Sequence, residues 1–165
     1  MSEAEDRDAI RQLITNYAIN GDRGRVDLLL HSFTEDAEML TPAWRALGRA
    51  GIGQAMGWSG KTEIVKAQRP AEGGAGRVLL RHHLTSSHIT FDSADEASGR
   101  TYWINFNENG PDHAGLYVDK YRRIDGKWLI VFREVRVDWK APSSRAGLVG
   151  PRPADAPPLR LYTGQ

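Results

Sequence analysis

Three side chains in this sequence are suited to moving a proton. His82 stands in a run of strand-forming residues, with Val78, Leu80 and Leu84 at the same parity. Histidine ionises near neutral pH, so it can serve as a general base unaided. Asp22 follows a helical stretch. An aspartate facing a histidine accepts a hydrogen bond from one ring nitrogen, fixing the tautomer and stabilising the imidazolium. Tyr17 lies on the apolar side of that helix, and its hydroxyl can donate to a substrate oxygen or help a leaving group depart. Each residue also has a plainer reading. Gly21-Asp22-Arg23-Gly24 is turn-like, a histidine among apolar strand residues is commonly a satisfied buried one, and the bulk of Tyr17 suits a core.

Other polar residues fall into two alternating sets, Tyr117, Asp119 and Tyr121 on one strand and Phe132, Glu134 and Arg136 on another. Pointing inward, they would floor a pocket with tyrosine and a Glu134–Arg136 cluster; pointing outward, they are a solvated sheet face. His83 faces away from His82, His88 is ambiguous, and His31 and His113 read as surface residues. Trp44 and Trp58 lie in the glycine-rich stretch 41–58, which is either a loop covering an apolar substrate or an ordinary surface connection. No metal is expected. Neighbouring histidines on a strand point to opposite faces, and the His82, His83, His88 spacing matches no ligand set. The chain has no cysteine and no phosphate-binding glycine motif, so thiolate and Cys-ligated metal chemistry are excluded. Catalysis would then fall to the side chains themselves, with no cofactor.

These groups need elements to hold them. Ala9, Ile10, Leu13, Ile14, Tyr17 and Ala18 recur at helical steps, predicting an amphipathic helix over 3–20 stopped by Gly21. A short helix follows with Val26, Leu29, Leu30 and Phe33 inward. Thr34-Glu35-Asp36 then turns into an extended segment at 37–40. Residues 61–68 read as a helix ended by Pro70, and 71–76 as a flexible link. Runs at 78–91, 101–107, 114–124 and 128–139 are rich in β-branched and aromatic residues and predict strands. Turns are expected at 93–99, at 107–111 and at Asp125-Gly126, a strong hairpin pair. The apolar parity of the first long strand switches near Ser86-Ser87, which predicts a bulge. Helices followed by long antiparallel strands give an α+β fold, a strongly bent sheet closed by helices around a pocket.

The whole chain has 165 residues, 40% hydrophobic and 26% charged, a single-domain size able to bury a core. Residues 1–140 form that domain; 141–165, with five of the eight prolines, form an extended tail. A net charge of +1 gives no electrostatic case for nucleic acid or a membrane surface. The acidic start, Met1 to Asp8, is unlike a signal peptide, and the expected location is cytoplasmic. Strict alternation on the last strand places Ile130 and Phe132 on one face and Val131, Val135, Val137 and Trp139 on the other. Two apolar faces need two partners, so a homodimer or higher homo-oligomer is expected.

Several segments resemble one family. Tyr17-Ala18-Ile19-Asn20-Gly21-Asp22, then Val26-Asp27-Leu28-Leu29 and Phe33-Thr34-Glu35-Asp36-Ala37, are similar to the start of SnoaL-like domains of the NTF2-like superfamily. So are Arg81-His82-His83-Leu84-Thr85-Ser86 and the strand pair from Gly115 to Trp128. The resemblance spans about residues 5–140. It implies an NTF2-like cone and, from dehydratase-like members, a Tyr and an Asp at the end of the first helix facing a His on the first long strand. Tyr17, Asp22 and His82 stand at those positions, and Arg136 where such a member has an arginine on the last strand. Thr85 replaces a second histidine, Ser86 a common asparagine, and only Thr41 lies near a second tyrosine's place. The resemblance implies a cofactor-independent lyase acting on a hydrophobic ring-containing molecule, with His82 as base, Tyr117 and Arg136 assisting, and Trp44 and Trp58 covering. The alternatives it allows are a ketosteroid-isomerase-like isomerase or a noncatalytic binding or partner-subunit domain.

Overall fold

The computed structural model describes residues 2–56 and 81–144. Trp58, the helix expected at 61–68, the link at 71–76 and the tail beyond 144 lie outside the described residues.

Helix α1 spans Glu3–Asp22. It opens with a capping box. The Glu5 backbone N–H donates to Ser2 Oγ at 3.3 Å, and the Ser2 backbone N–H donates to the Glu5 carboxylate at 2.6 Å. Ile10, Ile14, Tyr17 and Ala18 form its buried stripe. The helix runs past its expected stop. Gly21 is inside it, and Asp22 is its last residue rather than a turn residue.

The short helix α2, Val26–Leu30, precedes β1, Phe33–Leu40. Here the sequence reading is corrected. Phe33 begins a strand, and Thr34-Glu35-Asp36 continues it instead of turning. The cause is tertiary. Phe33 is fully buried against Tyr17, and β1 lies parallel to a distant strand with Phe33 opposite Ile130. The stretch expected as a loop is also structured, holding β2, Arg45–Leu47, and α3, Gly48–Ala55. Thr41 Oγ1 organises the β1–β2 turn by accepting from the N–H groups of Ala43 and Trp44.

Four long strands complete the sheet: β3 Arg81–Phe91, β4 Glu96–Asn107, β5 Gly110–Ile124 and β6 Lys127–Lys140. The turn expected at 93–99 is shorter, since β4 already begins at Glu96. The order is β2-β1-β6-β5-β4-β3, antiparallel except for β1 against β6. A mixed, open, bent sheet packed on helices is the α+β cone expected.

Bulges bend it. One lies in β3 between Leu84 and Ser87, where the parity switch was read. Register also shifts beside Asn105 and Phe106, and twice between β5 and β6. Each extra residue turns the following side chains to the other face. Hence the alternation read for β6 is corrected: Ile130 pairs with Tyr121 but Phe132 with Lys120, on opposite faces. Likewise Val137 pairs with Gly115 and Trp139 with Ala114, which separates those two.

The helix is tied to the sheet at its start by Asp6. That buried carboxylate accepts from Trp128 Nε1 at 2.8 Å and from Arg123 Nη1 at 2.9 and 3.1 Å. Gly115 has no room for a side chain. A Cβ there would lie 1.8 Å from the Arg136 carbonyl oxygen and 2.9 Å from the Trp103 ring. Gly115→Ala should therefore destabilise the fold by roughly 3 kcal/mol or more. The check is a lower urea midpoint at unchanged m-value, and a wild-type midpoint would contradict the packing described.

Candidate active site

Asp22 and His82 come from elements 60 positions apart and meet at hydrogen-bond distance. Nδ1 of His82 lies 2.6 Å from Oδ1 of Asp22, and the His82 backbone N–H donates to Oδ2 at 3.0 Å. A carboxylate only accepts, so Nδ1 carries the hydrogen. The Asp22 side chain is 7% exposed and that of His82 23%. An acid at a helix C-terminus opposes the helix dipole by a few tenths to about 1 kcal/mol. The two bonds to His82 give Asp22 a reason to be there. Nε2 of His82 lies 3.2 Å from Asn105 Nδ2, which donates to it when the ring is neutral.

The inner face can be followed by register, because directly paired residues share a face. His82 pairs with Asn105, and Asn105 with His113. Leu84 pairs with Trp103 and Trp103 with Gly115; Thr101 pairs with Tyr117 and Tyr117 with Val135. Rings bridge these rows. Trp103 lies 6.1 Å from His82, 5.3 Å from His113 and 5.5 Å from Tyr117, and Tyr117 meets Tyr17 at 5.9 Å. A cavity of about 460 Å³ opens between Arg11, Ile14 and Thr15 of α1 and Leu84, Thr85, Ser87 and Thr101 of the sheet; Tyr17, Asp22 and His82 do not line it.

Arg133 lies beneath this wall, fully buried. Its Nε and Nη2 donate to the two oxygens of Asp119 at 2.8 and 2.7 Å, and the Tyr121 hydroxyl donates to the same carboxylate at 2.8 Å. Its guanidinium is held between the Tyr17 and Tyr117 rings at 4.1 and 4.2 Å. Burial works against this charge, but the Asp119 carboxylate outweighs it and raises the arginine pKa further. Burial also raises the Tyr17 phenol and raises Tyr117 well above the ordinary range, so both remain protonated donors.

Several expected site residues sit elsewhere. Arg136 pairs with Leu116, on the face opposite Tyr117, and donates to Glu134 at 2.8 Å. It is therefore outside the inner face, and the inward arginine of β6 is Arg133. The parity count missed this because the bulge near Val131 resets it. Trp44 is half-buried against the core at the β1–β2 turn. His31, His83 and His88 are exposed. His113 is corrected: it is 3% exposed, not a surface residue. Its Nδ1 lies 2.6 Å from Asp112 Oδ2. Asn105 and Trp103 were not read as site residues at all. Only cross-strand pairing reveals them, since nothing in their own segment marks that face. Among the described residues, no group of three His, Asp or Glu side chains is placed to hold a metal ion, and no helix is long and apolar enough to cross a membrane.

The chain belongs to the SnoaL-like domain family, whose model matches residues 2–134. No curated protein sequence matches it. Solved structures share the fold. A proposed scytalone dehydratase from Novosphingobium aromaticivorans DSM 12444 is 23% identical, with 90% of this chain and 93% of that one covered at a TM-score of 0.70. An NTF2-like protein with a cystatin-like fold from the same organism is 25% identical, covering 87% and 88% at 0.66. A type 2 hexachlorocyclohexane dehydrochlorinase, LinA, is 18% identical, covering 93% and 97% at 0.64.

Removing one partner of the buried ion pair leaves a charge without compensation. Asp119→Asn should lower stability by roughly 3–5 kcal/mol. A calorimetric or urea measurement showing less than about 1 kcal/mol, the scale of an exposed pair, would contradict the burial of Arg133.

Proposed function

We propose that this protein is a cofactor-independent lyase that removes a proton and a leaving group, most simply water, from a hydrophobic ring-containing molecule. The observation that carries the reading is the 2.6 Å contact between Asp22 and His82 at the edge of an aromatic wall. Asp22 holds the imidazole in one tautomer, and His82 performs the proton transfer. Tyr17, kept protonated by burial, donates to a substrate oxygen. The Trp103 and Tyr117 rings offer an apolar surface suited to a ring-bearing substrate. A dehydrochlorinase and a proposed scytalone dehydratase of the same fold have names that describe elimination, which is in keeping with this chemistry.

The test is a screen of hydroxylated ring ketones, after chelator treatment, followed by mass spectrometry for loss of water. His82→Ala should reduce turnover roughly 10²–10⁴-fold, and Asp22→Asn should lower it while leaving the imidazole in place. Turnover that vanishes with the chelator, or survives in His82→Ala, would refute this assignment. A product of unchanged mass would indicate isomerisation instead.

We also propose self-association through the outer sheet face. Tyr102 and Trp139 are 55% and 47% exposed there, and Phe132 lies on the same side. Sedimentation at micromolar concentration should give a dimer or larger species; a monomer mass would exclude it.

A further inference from the structure

A second histidine–carboxylate pair lies on the inner face, on the far side of Asn105 from the first. His82 pairs with Asn105 on one side, and His113 pairs with Asn105 on the other. The two pairs are built alike, each with Nδ1 at 2.6 Å from an aspartate oxygen. Asp112 is firmly held. It accepts from Ser144 Oγ at 2.6 Å and Asn107 Nδ2 at 2.8 Å, while its carbonyl accepts from the Ala141 N–H at 2.7 Å. The side chains of Asp112 and His113 are 6% and 4% exposed.

The second ring nitrogens differ. Nε2 of His82 is engaged by Asn105. Nε2 of His113 makes no hydrogen bond among the described residues. On the same face, Asn105 Oδ1 and the Trp103 indole nitrogen are buried without a partner among the described residues. Buried polar atoms of that kind are uncommon in folded proteins. The Trp103 ring packs on both imidazoles, so its N–H is carried in the same region.

We propose that Asp112 and His113 form a second acid–base dyad on this inner face, which divides the proton transfer between two imidazoles: His113 takes the carbon proton, and His82 supplies the proton that leaves with oxygen. This rests on reading the His82 site as an elimination site. The C–H electron pair becomes the new C=C bond, and its proton goes to Nε2 of His113. The C–O bond breaks with its pair on oxygen, which takes a proton from Nε2 of the His82 imidazolium and departs as water. Exchange with solvent then returns a proton to His82 and removes one from His113. Protonation of His82 ends the bond from the Asn105 amide nitrogen, because two donors then face each other, and leaves Nε2–H for the departing oxygen.

The surroundings of His113 favour a neutral base. Burial lowers its pKa, the Asp112 carboxylate opposes that, and the nearby positive groups His82 and Lys140 lower it further. Activity should therefore fall as pH drops through the lowered His113 pKa, where the base becomes protonated.

Nitrogen-15 NMR of the imidazoles tests the state of the dyad without a substrate. At pH 7, His113 should be neutral with its hydrogen on Nδ1, and its titration should move upward in His82→Gln as the repulsion is removed. An imidazolium at His113 at pH 7, or a titration indifferent to His82→Gln, overturns the proposal. On a ketone that the wild type dehydrates, His113→Gln should lower kcat roughly 100-fold or more with KM nearly unchanged, and should abolish the acid limb of the pH profile. Asp112→Asn, which keeps the shape of the cluster, should act in the same direction with a smaller loss. Wild-type kcat in His113→Gln, alongside loss in His82→Ala, would reduce the second pair to an anchor for residues 141–144 while leaving the proposed function standing.

Discussion

The position of α1 on the sheet depends on one buried charge. Arg133 has no solvent to shield it, and its compensation comes from two elements at once. Asp119 of β5 supplies the counter-charge, with the Tyr121 hydroxyl on the same carboxylate. Tyr17 of α1 and Tyr117 of β5 supply the two ring faces. A desolvated guanidinium over a ring gains on the order of 2 kcal/mol from each good contact, and a buried charge without partners costs several times that. The helix is held to the sheet at this point by a requirement with little tolerance. Asp6 fixes the start of the same helix to Trp128 and Arg123. With both fixed, the end of the helix, roughly 24 Å from Asp6 at 1.5 Å per residue, arrives beside β3.

At that end the local rules of helix design are broken. An acid in the last turn is unfavourable, and no basic residue is there to relieve it. The deviation is compensated across space by the backbone and ring of His82. Sites where a local preference is overridden by a distant partner are where function tends to lie. The rings of Trp103 and Tyr117 lie beside this polar contact, so an oriented imidazole stands next to an apolar surface.

Curvature links the fold to the site. Bulges in β3, β5 and β6 let long strands bend, and each one re-aims the side chains after it. The register shift that follows Asn105 places Asp112 and His113, adjacent in sequence, close enough to bond each other. Gly115 lets the sheet close tightly under Trp103, the ring that touches both imidazoles.

Much of this was legible in the chain. The spacing of Ile10, Ile14 and Tyr17 defines α1, the β-branched runs define four strands, and the parity change near Ser86 marks a bulge. Asp22 and His82 stood out as side chains of the right type, and they meet. The faces of β6 were not legible, because counting by twos fails after the extra residue near Val131, and so Arg136 was read in place of Arg133. Phe33 to Asp36 was read as a helix end and turn because its strand partner lies almost a hundred residues away. His113 looked exposed because nothing near it in sequence announces that Trp103 and Asn105 will lie over it. Periodicity reports one element's own preference for water or core, so sequence alone determined the elements and the chemical types they carry. Which side chains face one another depends on register and bulges between strands far apart in the chain, and only the tertiary structure decided that.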